Sequence, residues 1–164
     1  MTGPFVFGVT GWKNAGKTTL TERLVAEFVR RGWRVSTIKH AHHAADVDQA
    51  GTDSFRHRAA GATEVALVGG QRYAIMREQA EPPLSEVLAR LAPADLVLIE
   101  GYKREGHPKI EVRAGDVPSL AANDPAIVAI AADTQPAEGG LPWFRRDDIA
   151  AIADFIAGRK PRSP

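Results

Sequence analysis

Gly11-Trp12-Lys13-Asn14-Ala15-Gly16-Lys17-Thr18 has the residue types and spacing of a G-x-x-x-x-G-K-[ST] phosphate-binding loop. Its chemistry is electrostatic. Backbone N–H groups of such a loop converge on phosphate oxygens, and the helix that follows adds the partial positive charge of its N-terminus. In this pattern Lys17 reaches the β- and γ-phosphates, and the Thr18 hydroxyl ligates Mg²⁺. Gly11, Lys13, Asn14, Ala15, Gly16 and Thr19 complete the expected cradle. The chain is therefore expected to bind a nucleoside triphosphate.

Other polar residues fall where open parallel sheets collect ligands, just past the carboxyl ends of strands. Lys39-His40 follows one apolar run, Glu100-Gly101 follows the most apolar run, and Asp133 follows another. Glu100 is the expected acidic partner of Mg²⁺, directly or through a water, because a hard cation wants oxygen ligands. Lys17 and Glu100 are thus the expected catalytic groups, with Asp46 as a candidate for positioning an attacking water. Asp48 and Asp53 lie in the same polar stretch, and Asp53 also reads as a helix N-cap. The cluster His40-Ala41-His42-His43 permits a transition-metal site, but equally phosphate contact, partner contact or plain surface. Arg56, His57 and Arg58 offer a fork for phosphate charge or a solvated face. Lys103-Arg104-Glu105-Gly106-His107 is a basic loop beside Glu100, able to meet phosphates or an anionic substrate. Asn123-Asp124 and Asp133 are candidates for reading the base. A carboxylate can accept from guanine where adenine offers only an acceptor. There is no Asn-Lys-x-Asp motif, so base preference stays open on residue chemistry alone.

These groups need a scaffold. Phe5-Val6-Phe7-Gly8-Val9 reads as a strand into the loop, and residues 18–31 as a helix with Leu20, Leu24 and Phe28 on its buried stripe. Gly32 ends it. Residues 33–39 alternate as a strand, residues 40–51 read as a loop, and residues 53–60 as a short helix before Gly61. Residues 63–68 and 72–76 form a hairpin around Gly69-Gly70. A helix carries Leu84, Val87, Leu88 and Leu91. Leu96-Val97-Leu98-Ile99 is a buried parallel strand, residues 109–112 a weakly alternating one, and residues 127–132 another buried one. A last helix over residues 147–157, capped by Asp147, turns Ile149, Ile152 and Ile156 inward. Alternating strands and helices predict an α/β fold: a P-loop NTPase three-layer sandwich with a mostly parallel sheet and a short antiparallel hairpin. The expected organisation is one domain over residues 1–158, with residues 159–164 a frayed tail.

Composition narrows the class. A chain of 164 residues suits one domain with a full core. A net charge of +1 gives no reason to expect a nucleic-acid partner. Zero Cys excludes disulfides and thiolate metal sites and fits a reducing compartment. No apolar stretch is long enough for a bilayer, and the N-terminus runs straight into the first strand, so neither membrane nor signal peptide is expected and the cytoplasm is the expected location.

Five stretches together resemble the family of molybdopterin-guanine dinucleotide biosynthesis protein B. They are residues 11–19, the Lys39-His40-Ala41-His42-His43 run, residues 53–62 with Asp-Ser-Phe-Arg-His-Arg-Ala-Ala-Gly-Ala, residues 98–103 with Leu-Ile-Glu-Gly-Tyr-Lys, and Asn123-Asp124-Pro125 with Asp133. The resemblance implies a GTP-binding, slowly hydrolysing accessory protein of the dimeric P-loop class, with GTP and Mg²⁺ bound and molybdopterin as a further ligand. It implies a homodimer and a partnership with the guanylyltransferase that joins GMP to molybdopterin, and contact with molybdoenzymes or molybdopterin insertion proteins. Lys13, His40, Arg56, Lys103, Asn123 and Asp133 are then expected to serve the nucleotide alongside the loop. Trp12 stands where many members of that dimeric class carry a lysine, and position 41 is Ala where the family is often polar. Two alternatives compete: a small-molecule kinase, and a metal-delivery GTPase using the His40–His43 loop.

Overall fold

The structure is a computed structural model that describes residues 4–41 and 46–161. It divides into two compact units, residues 1–40 with 91–164, and residues 41–90.

The larger unit is built on a six-stranded sheet in the order β2-β5-β1-β6-β7-β8. Its strands are β1 (Phe5–Gly11), β2 (Val35–Lys39), β5 (Leu96–Glu100), β6 (Lys109–Arg113), β7 (Ile127–Ala132) and β8 (Trp143–Arg145). Every pairing in it is parallel. Its helices are α1 (Lys17–Arg30) and α4 (Ile149–Ala157). Phe7 and Val9, Leu96 and Leu98, Ile110 and Val112, and Ala129 and Ala131 alternate along their strands, so they share one sheet face. Leu20, Leu24 and Phe28 from α1 and Ile152, Ala153 and Ile156 from α4 complete that core. Each large apolar side chain buried there contributes about 1.5–3 kcal/mol. Arg31 joins the two helices, donating to Asp154 at 2.6 Å and to Glu27 at 2.7 Å.

The other face of β6 is different. Lys109, Glu111 and Arg113 point there, all buried, and no helix of this unit covers them. Loops satisfy them instead. Lys109 pairs with Asp124 at 2.9 Å, Glu111 accepts from the Ser119 hydroxyl and the Leu120 N–H at 2.8 Å each, and Arg113 pairs with Glu138 at 3.0 Å. This explains the weak alternation of residues 109–112: the polar positions are not solvent-facing but paired.

The smaller unit holds α2 (Asp53–Ala59), the antiparallel hairpin β3 (Glu64–Val68) and β4 (Tyr73–Arg77), and α3 (Leu84–Arg90). The Gly69 N–H closes the hairpin turn onto the Arg72 carbonyl at 2.9 Å.

Two local expectations are corrected, and one strand is added. α4 is capped by Asp148, whose carboxylate accepts from the Ala151 N–H at 3.2 Å, while Asp147 pairs with Arg145. α2 is capped by Thr52 and not Asp53, through the Phe55 N–H. β8 has only three residues, too few for a period to register in the sequence.

Two predictions follow from the loop-covered face. A Cβ at Gly8 would lie 2.7 Å from His107 Nε2 and 2.8 Å from Lys109 Cγ, so Gly8→Ala should cost about 1–3 kcal/mol and lower the thermal midpoint by several degrees. His107 has both ring nitrogens buried without a hydrogen-bond partner. Burial, then the Lys109 ammonium, pulls its pKa from the usual 6.5 to about 4, with Asp124 opposing. The unfolded chain thus binds a proton that the folded chain refuses, so stability drops as pH falls from about 6.5 toward about 4. Urea denaturation should show a smaller loss on acidification to about pH 5 in His107→Leu than in the parent.

Candidate functional site

The phosphate loop starts at the last residue of β1 and ends in the first turn of α1. Asn14 and Gly16 both take positive φ, +61° and +95°, the left-handed backbone that lets successive N–H groups face one concavity. Asn tolerates that region among residues with a Cβ, and Gly16 enters it freely. Gly16 is also the α1 N-cap, with no side chain satisfying the first-turn donors. Those donors are what an anion would use.

Lys17 is folded back, donating to the Trp12 carbonyl at 2.7 Å and the Gly11 carbonyl at 3.2 Å. Its pKa is lowered by burial first, then by the Lys103 and Lys39 ammonium groups; Glu100 works the other way. The Thr18 hydroxyl donates to Glu100 Oε1 at 2.9 Å, and Lys39 Nζ lies 3.6 Å from the same oxygen. Glu100 is buried at the end of β5, whose ladder sets it opposite Val9 on one side and Lys39 on the other. A cavity of about 480 Å³ opens here, lined by Lys13, Asn14, Lys17, Thr18, Lys39 and Glu100 among others. Gly101 follows at φ +97°, where a Cβ would lie 2.9 Å from that of His40. The His40 ring stacks on Tyr102 with centroids 4.2 Å apart.

On the other flank of the loop, a cavity of about 260 Å³ is bounded by Gly16, Thr19, Arg23, Asp133 and Arg146 among others. Arg146 forks onto Asp133 with bonds of 2.7 and 2.6 Å and donates to the Ala15 carbonyl at 3.0 Å. A second brace comes from Trp12, whose indole N–H donates to the Pro118 carbonyl at 2.8 Å, with Lys103 Nζ 5.8 Å from its ring centroid.

The structure thus gathers Gly11 to Thr19, Glu100, Lys103 and Asp133 around one loop, and it seats His40 behind Gly101. Within the same unit, Asn123 is not among them. Asn123 lies in the turn that precedes β7, at the amino end of the strands, because a parallel β6-to-β7 connection must return the chain to that end. Its neighbour Asp124 is held by Lys109 and the Ala126 N–H. Asn123 is therefore corrected from a base reader to part of this turn. Asp46 belongs to the smaller unit, where Arg58 forks onto it with bonds of 2.8 and 3.1 Å. That fork, with the Asp48 N–H, holds the carboxyl at about 2 and makes it an anchor for its own loop. Arg56 is exposed in the last turn of α2, also in the smaller unit, and the fork there is Arg58. His42 and His43 lie outside the described residues, among which no cluster of three or more His, Asp or Glu could hold a metal ion.

Sequence reasoning missed Arg146, and it noted Lys39 at a strand end without giving it a role. Arg146 sits between a three-residue strand and a helix cap, with no motif to mark it. Lys39 had a signal, its place at a strand end.

A sequence model of the family "MobB: Molybdopterin guanine dinucleotide synthesis protein B" matches residues 6–133. The chain belongs to the MobB family. It is 39% identical over 155 residues to the molybdopterin-guanine dinucleotide biosynthesis adapter protein of Haemophilus influenzae, covering 92% of this chain and 86% of that one. It is 35% identical over 153 residues to the adapter protein of the same description from Escherichia coli, covering 88% and 87%. Among solved structures it is similar to a molybdopterin-guanine biosynthesis protein B (28% identity, TM-score 0.75, 93% and 97% covered). It is also similar to a MobB homologue from Bacillus stearothermophilus (34% identity, TM-score 0.69, 94% and 99% covered). The parallel sheet with its separate antiparallel hairpin is the P-loop α/β fold of these MobB neighbours. The family places the chain among the adapter proteins of molybdopterin guanine dinucleotide biosynthesis. No helix among the described residues is long and apolar enough to cross a membrane.

The bracing by Arg146 is testable without any ligand. Arg146→Ala should remove the bond to the Ala15 carbonyl and speed amide hydrogen exchange across residues 12–16, while exchange in β1 stays slow.

Proposed function

We propose that the chain binds GTP with Mg²⁺ at the phosphate loop, hydrolyses it slowly, and serves as an adapter for the molybdenum cofactor guanylyltransferase in the cytoplasm. The observation that carries this reading is the loop with Lys17 on one side and the Thr18–Glu100 contact of 2.9 Å on the other. Loop amides, the α1 N-terminus and Lys17 supply the positive potential that a polyphosphate requires. The donor set fits a hard cation, since Thr18 and Glu100 offer oxygens already in contact. Mg²⁺ bound there would neutralise phosphate charge and order the β- and γ-oxygens. Asp133 and Arg146 border the cavity beside Gly16 and Thr19, and a base there would meet a carboxylate and a guanidinium. Slow turnover follows from the absence of an evident glutamine or arginine finger among the residues of the loop. The guanine preference and the molybdopterin ligand rest on the relatives' names and on the family resemblance.

A homodimer is part of the proposal. Val68, Tyr73 and Ile75 share one face of the β3–β4 hairpin by register, and all three are largely exposed. Such a face is what a protein contact would cover. Ile75→Asp should shift the sedimentation coefficient toward that of a monomer; an unchanged dimer would remove the hairpin from the interface.

Calorimetry with GTP, GDP and ATP in the presence of Mg²⁺ tests the nucleotide. GTP is expected to bind more tightly than ATP, and Lys17→Ala should weaken it about 10- to 100-fold or more. Glu100→Gln should weaken the Mg²⁺-dependent part. Equal or tighter ATP binding would overturn the guanine assignment and point to a kinase.

A further inference from the structure

At the phosphate loop the Lys17 ammonium is acted on by three other charges, the ammonium groups of Lys103 and Lys39 and the carboxylate of Glu100. Lys17 and Lys103 have other partners. Lys17 donates to two loop carbonyls, and Lys103 sits over the Trp12 ring. Lys39 has a 3.6 Å pairing with Glu100 Oε1, the same oxygen that accepts from Thr18. Its side chain is 64% exposed, so the pair is weak and easily exchanged. It lines the cavity that holds Lys13, Asn14, Lys17 and Thr18.

We propose that Lys39 is a ligand for the terminal phosphate of a nucleoside triphosphate, and so distinguishes triphosphate from diphosphate. This rests on the reading of the loop as a nucleotide site. The reason is competition for one carboxylate. A divalent cation held by Thr18 and Glu100 would draw on the carboxylate that Lys39 now faces and weaken that 3.6 Å pair. A bound triphosphate would offer Lys39 a stronger partner than this exposed pair, the terminal phosphate. The ladder fixes its position for this: Lys39 stands opposite Glu100 in the β2–β5 register, so the side chain starts from the same edge as the carboxylate. It also places a positive charge where Lys17 already feels the charges of Lys103 and Lys39, a repulsion that a bound polyanion would relieve.

The test is calorimetric titration of the full chain with GDP and with a non-hydrolysable GTP analogue, both with Mg²⁺, for the parent, Lys39→Met, Lys39→Arg and Lys17→Ala. Lys39→Met should lose about tenfold in affinity for the triphosphate and less than about twofold for GDP. Lys39→Arg should retain most of the discrimination, since it keeps the charge. Lys39 is exposed, so the variants should fold, and unchanged GDP binding reports this directly. Parallel losses for both nucleotides would overturn the proposal, reducing Lys39 to general attraction. No loss for either would overturn it as well. In both cases a Lys17→Ala variant that loses GDP leaves the nucleotide reading standing. Failure of the parent to bind either nucleotide would bring down both readings.

Discussion

Glu100 stands opposite Val9 on one side and Lys39 on the other because three parallel strands share a register. That register is the constraint on which the site depends. It is held by the packing of Phe7, Val9, Leu96 and Leu98 into a single core, and a one-residue slip of β5 would turn Leu96 and Leu98 to the other face. The penalty for a slip is the mispacking of the core, with Val97 and Ile99 brought to where Leu96 and Leu98 fit. Glu100 is therefore positioned by hydrophobic packing, and the polar contacts of the site are made by groups that arrive already aligned.

The sheet is asymmetric in a way that bears on this site. α1 and α4 pack on one face, and β6 turns Lys109, Glu111 and Arg113 to the other, where loops close over them. Connections without helices let residues 101–108 and 114–126 lie against the sheet. Hence Trp12 meets the Pro118 carbonyl and Lys103 reaches the Trp12 ring. With Arg146 on its opposite flank, the phosphate loop is braced from outside by single hydrogen bonds of modest strength. Its conformation is shaped in advance, but each brace is weak enough to be exchanged for a ligand.

Much of this was legible in the chain. The loop, the helix after it and the buried strand ending in Glu100 were readable because each has a local signature: a glycine spacing, a 3.6-residue stripe, an unbroken apolar run. The failures share a physical cause. Asp147 and Asp148 are adjacent, as are Thr52 and Asp53, and which one caps its helix depends on backbone angles that neighbouring identical chemistry does not reveal. Asn123 and Asp133 looked alike as polar residues near strands, yet one precedes β7 and the other follows it, at opposite ends of the sheet. Asp46 has a partner that no local pattern announces, Arg58 twelve residues on.

What the sequence determined by itself was local. It determined the phosphate loop, the elements that carry it, the apolar faces and, through motif resemblance, the family, because these depend on residues close together in the chain. The tertiary structure decided the partners. Arg146 reaches back 131 residues to the Ala15 carbonyl, Thr18 reaches 82 residues to Glu100, and Lys39 comes beside that same carboxylate only when β2 and β5 align. Pairings across such separations are set by strand order and register, and those are outcomes of the packing of the whole core rather than of any one segment.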